Sequence, residues 1–164
     1  MILIALGANL SSSRHGTPQE TCEAALAALQ ANGVRIVRRS RWYRSAPVPP
    51  SGQPPFVNGV AEVATDLPPG DLLSLLHRIE AELGRVRRER NEARVLDLDL
   101  LAYGGRISAP GEVPELPHPR LADRAFVVLP LADVAPAWRH PVSGLSPAEM
   151  AARLPPGQVA KPLE

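Results

Sequence analysis

Apolar positions along this chain recur with two different periods, and the order in which those periods alternate predicts its architecture. Ile2-Leu3-Ile4-Ala5-Leu6 is a continuous apolar run stopped by Gly7, which reads as a buried strand. Thr17-Pro18-Gln19-Glu20 carries a helix start, with a hydroxyl cap, proline at the first helical position and a glutamate able to reach back. Residues 22, 25, 26 and 29 continue at helical spacing until Gly33. Val34 to Tyr43 alternates imperfectly and holds β-branched and aromatic residues, predicting one strand with a wet face. A proline-rich loop from Ser45 to Pro55 leads into a strand over Phe56 to Ala64. Pro68-Pro69-Gly70-Asp71 opens a second helix whose Leu72, Leu75, Leu76, Ile79 and Leu83 share one face, closed by Gly84. A loop of arginines and a further strand to about Tyr103 follow, with Gly104-Gly105 predicting a turn. The remainder adds a Pro117-His118-Pro119 loop and two short helices near 126–134 and 146–153, placed to cover the second sheet face. The tail from Pro155, with Pro-Pro-Gly and a polar end, predicts fraying.

Strand–helix–strand–strand–helix–strand is the split βαβ order. It predicts an α/β (α+β) chain: an antiparallel sheet between helices on both faces, three α-β-α layers in all. At 164 residues the chain fits one domain spanning 1–164. A net charge of +1 gives no global field that would draw nucleic acid or an acidic membrane surface. No apolar stretch reaches the roughly 18 residues of a membrane span, and the N-terminus lacks a basic leader, so the expectation is a cytoplasmic protein. A single cysteine, Cys22, excludes an internal disulfide and a cysteine zinc cluster; beside Ala24, Ala25 and Leu26 it reads as a small buried residue.

The positive charge is local. Arginines stand at 85, 87, 88, 90 and 94, immediately before Val95-Leu96-Asp97-Leu98-Asp99-Leu100-Leu101. On a strand Asp97 and Asp99 point to one side, and Leu96, Leu98 and Leu100 to the other. Two carboxylates held together repel and are costly to desolvate unless a cation joins them, and hard oxygen ligands suit magnesium shared with phosphates. Guanidinium groups crowded into one loop call for an anion, and their forks match phosphate. No Gly-x-x-x-x-Gly-Lys-Ser/Thr sequence occurs, which excludes a P-loop. His118 sits on a stiff Pro-His-Pro backbone just before Arg120 and Arg124. The two phenylalanines, Phe56 and Phe126, are either core residues or a clamp for a flat heterocycle. Asn58 shares a strand face with Phe56 and offers both donor and acceptor. Glu80 lies on the flank of the second helix's apolar stripe.

Together these segments resemble the 6-hydroxymethyl-7,8-dihydropterin pyrophosphokinase family of folate biosynthesis. The resemblance runs from Leu6-Gly7-Ala8-Asn9-Leu10 through Tyr43-Arg44-Ser45, Phe56-Val57-Asn58 and Ile79–Arg87 to Arg94–Asp99, Pro117-His118-Pro119 and Arg124-Ala125-Phe126. It implies a ferredoxin-like fold, usually monomeric, and transfer of pyrophosphate from ATP to the pterin hydroxymethyl group with release of AMP. It implies that Asp97 and Asp99 hold two magnesium ions. Glu80, Arg85, Arg87, Arg94, His118 and Arg124 match the ATP side, with Arg85 and Arg94 beside the reacting phosphates. Ser45, Ala46, Val48, Phe56, Asn58, Asp97 and Phe126 match the pterin side. One departure is Asn91-Glu92, where many members carry Trp-Gly; a ring there would help seal a closing loop, so the departure bears on closure and product release. Two other readings compete. A magnesium-dependent, palm-like nucleotidyl transferase or cyclase would release pyrophosphate and leave the pterin residues without a role. A non-enzymatic ferredoxin-like module binding nucleotide or RNA would leave the paired aspartates unexplained, and it lacks the stacking aromatics such modules use.

Overall fold

A computed structural model describes residues 1–9, 16–46, 55–84 and 95–163. Its elements follow the sequence order: β1 (Ile2–Ala8), α1 (Pro18–Ala31), β2 (Arg35–Arg39), β3 (Tyr43–Ser45), β4 (Phe56–Ala64), α2 (Pro69–Leu83), β5 (Asp97–Tyr103), a 3-10 turn (Leu121–Asp123), α3 (Ala125–Val134), α4 (Pro147–Ala152) and β6 (Ala160–Pro162). Thr17 and Glu20 form the reciprocal cap foreseen at α1, and Ser146 and Glu149 repeat it at α4. The sheet runs β5-β1-β4-β3-β6, with β2 also paired to β4, and every pairing is antiparallel. The expected ferredoxin-like sandwich is the fold.

Two apolar layers explain why both sheet faces are covered. Ile4, Leu6, Ala61, Val63, Leu98 and Leu100 pack under α1 and α2, which contribute Leu26, Leu29, Leu72, Leu76 and Ile79. Leu3, Ala5, Val60, Leu101 and Ala102 pack under α3 and α4, against Val127, Val128, Leu131 and Met150. Each fully buried leucine in such a layer contributes about 1.5–3 kcal/mol relative to an exposed one. Cys22 is fully buried in the first layer, and burial, helped by Glu23, pushes its thiol up to about 12.

The structure departs from the sequence expectation in three places. The strand read over Val34–Tyr43 is two strands, because Ser40 turns the chain: its N–H donates to Val60 O and its Oγ accepts from Val60 N–H, both at 2.9 Å. In β5, Leu100 pairs with Ile4 but Ala102 with Leu3, so Leu101 is a bulge residue. Leu101 and Ala102 then both face α3, and Tyr103 returns to the α1–α2 side. The tail is also not frayed. It forms β6 against β3, pairing Ser45 with Ala160 and Tyr43 with Pro162.

Candidate active site

β5 places the two aspartates. Leu98 is buried between them toward α1 and α2, while Asp97 and Asp99 are half-buried on the other face. The antiparallel register decides what stands beside them. Asp97 lies abreast of Gly7, and Gly7 abreast of Asn58; Asp99, Ala5 and Val60 form the next row. Asn58 and Asp97 are thus two strand spacings, about 10 Å, apart. Only glycine and alanine stand in the β1 positions of these two rows, so the floor is low. Above it opens a cleft of about 560 Å³, lined by Asp97, Asp99, Asn58, Ala46 and Phe56 on the sheet side and by Arg120, Asp123, Arg124 and Phe126 opposite.

Asn58 is held in one orientation. The buried Ser45 hydroxyl donates to its Oδ1 at 2.6 Å, which leaves the amide NH2 above Gly7. A Cβ on Gly7 would stand 2.9 Å from that Nδ2, so the missing side chain is what makes room for it. Across the cleft, Arg124 precedes the first residue of α3, and its guanidinium lies 5.5 Å from the centroid of the Phe126 ring. Burial and the nearby Arg120 weaken the Arg124 guanidinium's hold on its proton, and Asp99, Asp97 and Asp123 oppose them. Arginine remains a cation under such shifts.

His118 is fixed by the bulge. Its backbone N–H donates to the carbonyl of Leu101 at 2.8 Å, which ties the Pro-His-Pro segment to the strand carrying the aspartates. Its Nδ1 accepts from the Arg120 N–H at 3.2 Å, so in the neutral ring the proton sits on Nε2. Burial lowers its pKa, Asp99 and Glu115 raise it, and Arg124 and Arg120 lower it, with a net downward shift. His140 is lowered by burial alone. The unfolded chain therefore binds more protons than the folded one below the ordinary histidine value of about 6.5. Stability is fully present above that pH and is lost as pH falls through the folded values. Denaturant unfolding between pH 7.5 and 5.5 is expected to show this decline, with a shallower slope in a His118→Gln variant; identical slopes would contradict the buried neutral ring.

The other sequence candidates divide. Ser45 acts on Asn58 rather than lining the cleft. Glu80 is also off the lining: on α2, behind the sheet, its Oε2 accepts from the Leu98 N–H at 2.8 Å and so holds the peptide between the two aspartates. Val48, Arg85, Arg87, Arg94 and the Asn91-Glu92 departure lie outside the described residues. Sequence reading missed Pro155 and Gln158, which also line the cleft, and it gave Gly7 no spatial role. No local signal marks Gln158, because its partners are 33 and 35 residues away.

Among the described residues no group of three or more histidine, cysteine or acidic side chains is gathered for a metal. Two aligned carboxylates beside a cationic wall fit a different arrangement, in which hard cations keep water and substrate phosphate as their remaining ligands. No helix among the described residues is long and apolar enough to cross a membrane.

Residues 3–136 match the family model described as 7,8-dihydro-6-hydroxymethylpterin-pyrophosphokinase. The chain is 45% identical over 143 residues to a 2-amino-4-hydroxy-6-hydroxymethyldihydropteridine pyrophosphokinase of Pseudomonas aeruginosa, covering 85% of this chain and 83% of that protein. It is 44% identical over 133 residues to the protein of the same name from Haemophilus influenzae, covering 80% and 79%. A crystal structure of a Plasmodium falciparum HPPK-DHPS triple mutant superposes with a TM-score of 0.69 at 14% identity, over 93% of this chain and 44% of that one, which supports the fold. With a family match over most of its length and relatives of this identity, the chain belongs to the 7,8-dihydro-6-hydroxymethylpterin-pyrophosphokinase family.

Proposed function

We propose that this cleft carries out the family's reaction within a single domain spanning residues 1–164. The enzyme is an ATP-dependent pyrophosphokinase of folate synthesis: it transfers pyrophosphate from ATP to the hydroxymethyl group of 6-hydroxymethyl-7,8-dihydropterin and releases AMP. The observation that carries the site assignment is that Asp97 and Asp99 share one cleft with Phe56, Asn58, Arg124 and Phe126. The pterin ring lies between Phe56 and Phe126, with Asn58 on its polar edge and Ser45 and Ala46 alongside. The triphosphate lies toward Arg124 and His118, and the family likeness assigns further phosphate contacts to Arg85, Arg87 and Arg94. Glu80 supports the nucleotide side indirectly, through the Leu98 peptide.

In the reaction the hydroxymethyl oxygen attacks the β-phosphorus and releases its proton to solvent, the bond from that phosphorus to the α–β bridging oxygen breaks, and AMP leaves with that oxygen. Two magnesium ions, held by Asp97 and Asp99, would neutralise the phosphate oxygens and make the hydroxyl more acidic. Arg124 stabilises charge growing on the phosphates, and His118 offers its Nε2–H as a donor at neutral pH. The clamp of Phe56 and Phe126 from opposite walls keeps the ring in register with the phosphorus, which removes translational entropy from the barrier. The protein is read as a cytoplasmic monomer.

A product assay with magnesium, ATP and the pterin tests this reading. AMP formed one-for-one with pyrophosphorylated pterin is the expected result. ADP would mean single phosphoryl transfer, and free pyrophosphate would favour a nucleotidyl transferase; either outcome would overturn the assignment. A Gly7→Ala variant bears on the pterin side alone. Its methyl displaces the Asn58 amide, so pterin affinity measured by calorimetry is expected to weaken about tenfold, the worth of roughly one well-made hydrogen bond. Nucleotide affinity should hold. Unchanged pterin affinity would remove Asn58 from the site.

A further inference from the structure

The family match ends at residue 136, yet Pro155 and Gln158, in the segment from Pro155 to Leu163, line the cleft. Its β6 extends the sheet beside β3, placing Ala160 abreast of Ser45, the residue that orients Asn58. The Leu163 N–H donates to Trp42 O at 2.8 Å, which anchors its end. Its beginning is anchored on the opposite wall. The Gln158 Oε1 accepts from the Ala125 N–H at 2.9 Å, and its Nε2 donates to the Asp123 carbonyl at 2.7 Å. The two contacts admit one amide orientation, since one partner is a donor and the other an acceptor. They fall on the residues immediately before and after Arg124. Arg124 starts α3 without a side-chain cap of its own, so Gln158 supplies that cap from across the chain.

Resting on the assignment of Arg124 to the nucleotide and of Phe126 to the pterin, we infer that the C-terminal segment is a strap joining the two walls of the cleft, and that Gln158 is a positioning residue for this reaction. By gripping the peptides on either side of Arg124, it sets where the guanidinium and the ring beneath it stand. Phe126 follows because it lies two residues along, under the Arg124 guanidinium. The amide does this without chemistry of its own.

The test is a double-mutant cycle in the full chain, comparing Gln158→Ala, Arg124→Ala and the pair for kcat, KM and thermal unfolding. Gln158→Ala is expected to lower kcat/KM at least tenfold, toward the roughly 100-fold loss that a misplacement of about 1 Å can cause. The same change made in the Arg124→Ala background should cost clearly less than in the parent enzyme, because one of the two groups being positioned is gone and only Phe126 is left to misplace. A role as a helix cap alone would lower Tm and leave kcat/KM intact at temperatures where the variant is folded. That outcome, or losses that multiply independently, would overturn the inference while leaving the pyrophosphokinase reading in place. An Arg124→Ala enzyme with normal kinetics would instead overturn the nucleotide role of Arg124, and this inference with it. If Gln158→Ala does not fold, Gln158→Met fills the same space without either hydrogen bond and is read by the same criteria.

Discussion

Replacing Asp97 or Asp99 with alanine is expected to lower turnover by roughly 10²–10³-fold, the usual cost of removing one strong electrostatic group from a phosphoryl-transfer site. Folding should survive, because neither side chain belongs to an apolar layer. Both carboxylates stand on the cleft face, and the core of the strand is made by Leu96, Leu98 and Leu100. Loss of function with unchanged or raised Tm is the signature of a residue kept for chemistry rather than for packing. Asp99 carries a further consequence. It is the largest influence holding the His118 pKa up against burial, so Asp99→Asn should move the histidine titration followed by NMR further down. Near-normal turnover in either alanine variant would sink the assignment of these residues to magnesium.

A second large effect is expected on the sheet face opposite the cleft, at Gly59→Ala. Gly59 sits in β4 between Asn58 and Val60, and a Cβ there would stand 2.6 Å from Cζ3 and 2.7 Å from Cε3 of Trp42. The indole cannot easily move aside. Its Nε1 donates to Glu23 at 2.8 Å, and Arg39, itself paired with Glu23, covers its face at 5.1 Å. The added methyl therefore forces strain into a close-packed layer, a change that costs about 1–3 kcal/mol. In a protein of this size that is a fall in Tm of roughly 2–4 °C for each kcal/mol. The penalty should shrink in a Trp42→Leu background, where the ring edge is absent. An additive pair of effects in calorimetry would show that the close approach is not what requires glycine.

Most of the layer architecture was legible in the sequence. The capping box at Thr17, the leucine stripe of the second helix and the alternation around Leu98 are local patterns, and each is decided by residues within a few positions of one another. The same holds for much of the site. Asp97 and Asp99 lie on one face by strand geometry alone, and Phe56 and Asn58 by the same rule. What the sequence could not show was what faces them. Gly7 has no side chain to give a signal, and its importance appears only when register sets it between Asn58 and Asp97. Ser40 looks like any strand residue until its hydroxyl is found accepting from Val60 across the turn.

The C-terminal tail marks the boundary most clearly. Pro155-Pro156-Gly157 and a polar ending are the composition of a free end, and the expectation of fraying followed from local propensity. The unpaired edge of β3 and the uncapped start of α3 reverse it, because each leaves backbone groups whose hydrogen bonds must be supplied from somewhere. By itself, then, the sequence determined most of the elements, which face of each is apolar and which side chains could carry phosphate chemistry, since those depend on short-range periodicity and residue type. Only the tertiary structure decided that Gly7 and Ala5 make the floor, that the bulge at Leu101 anchors His118, and that Gln158 brackets Arg124. Register, bulges and backbone partners many residues away are consequences of how the chain closes on itself, and no local window contains them.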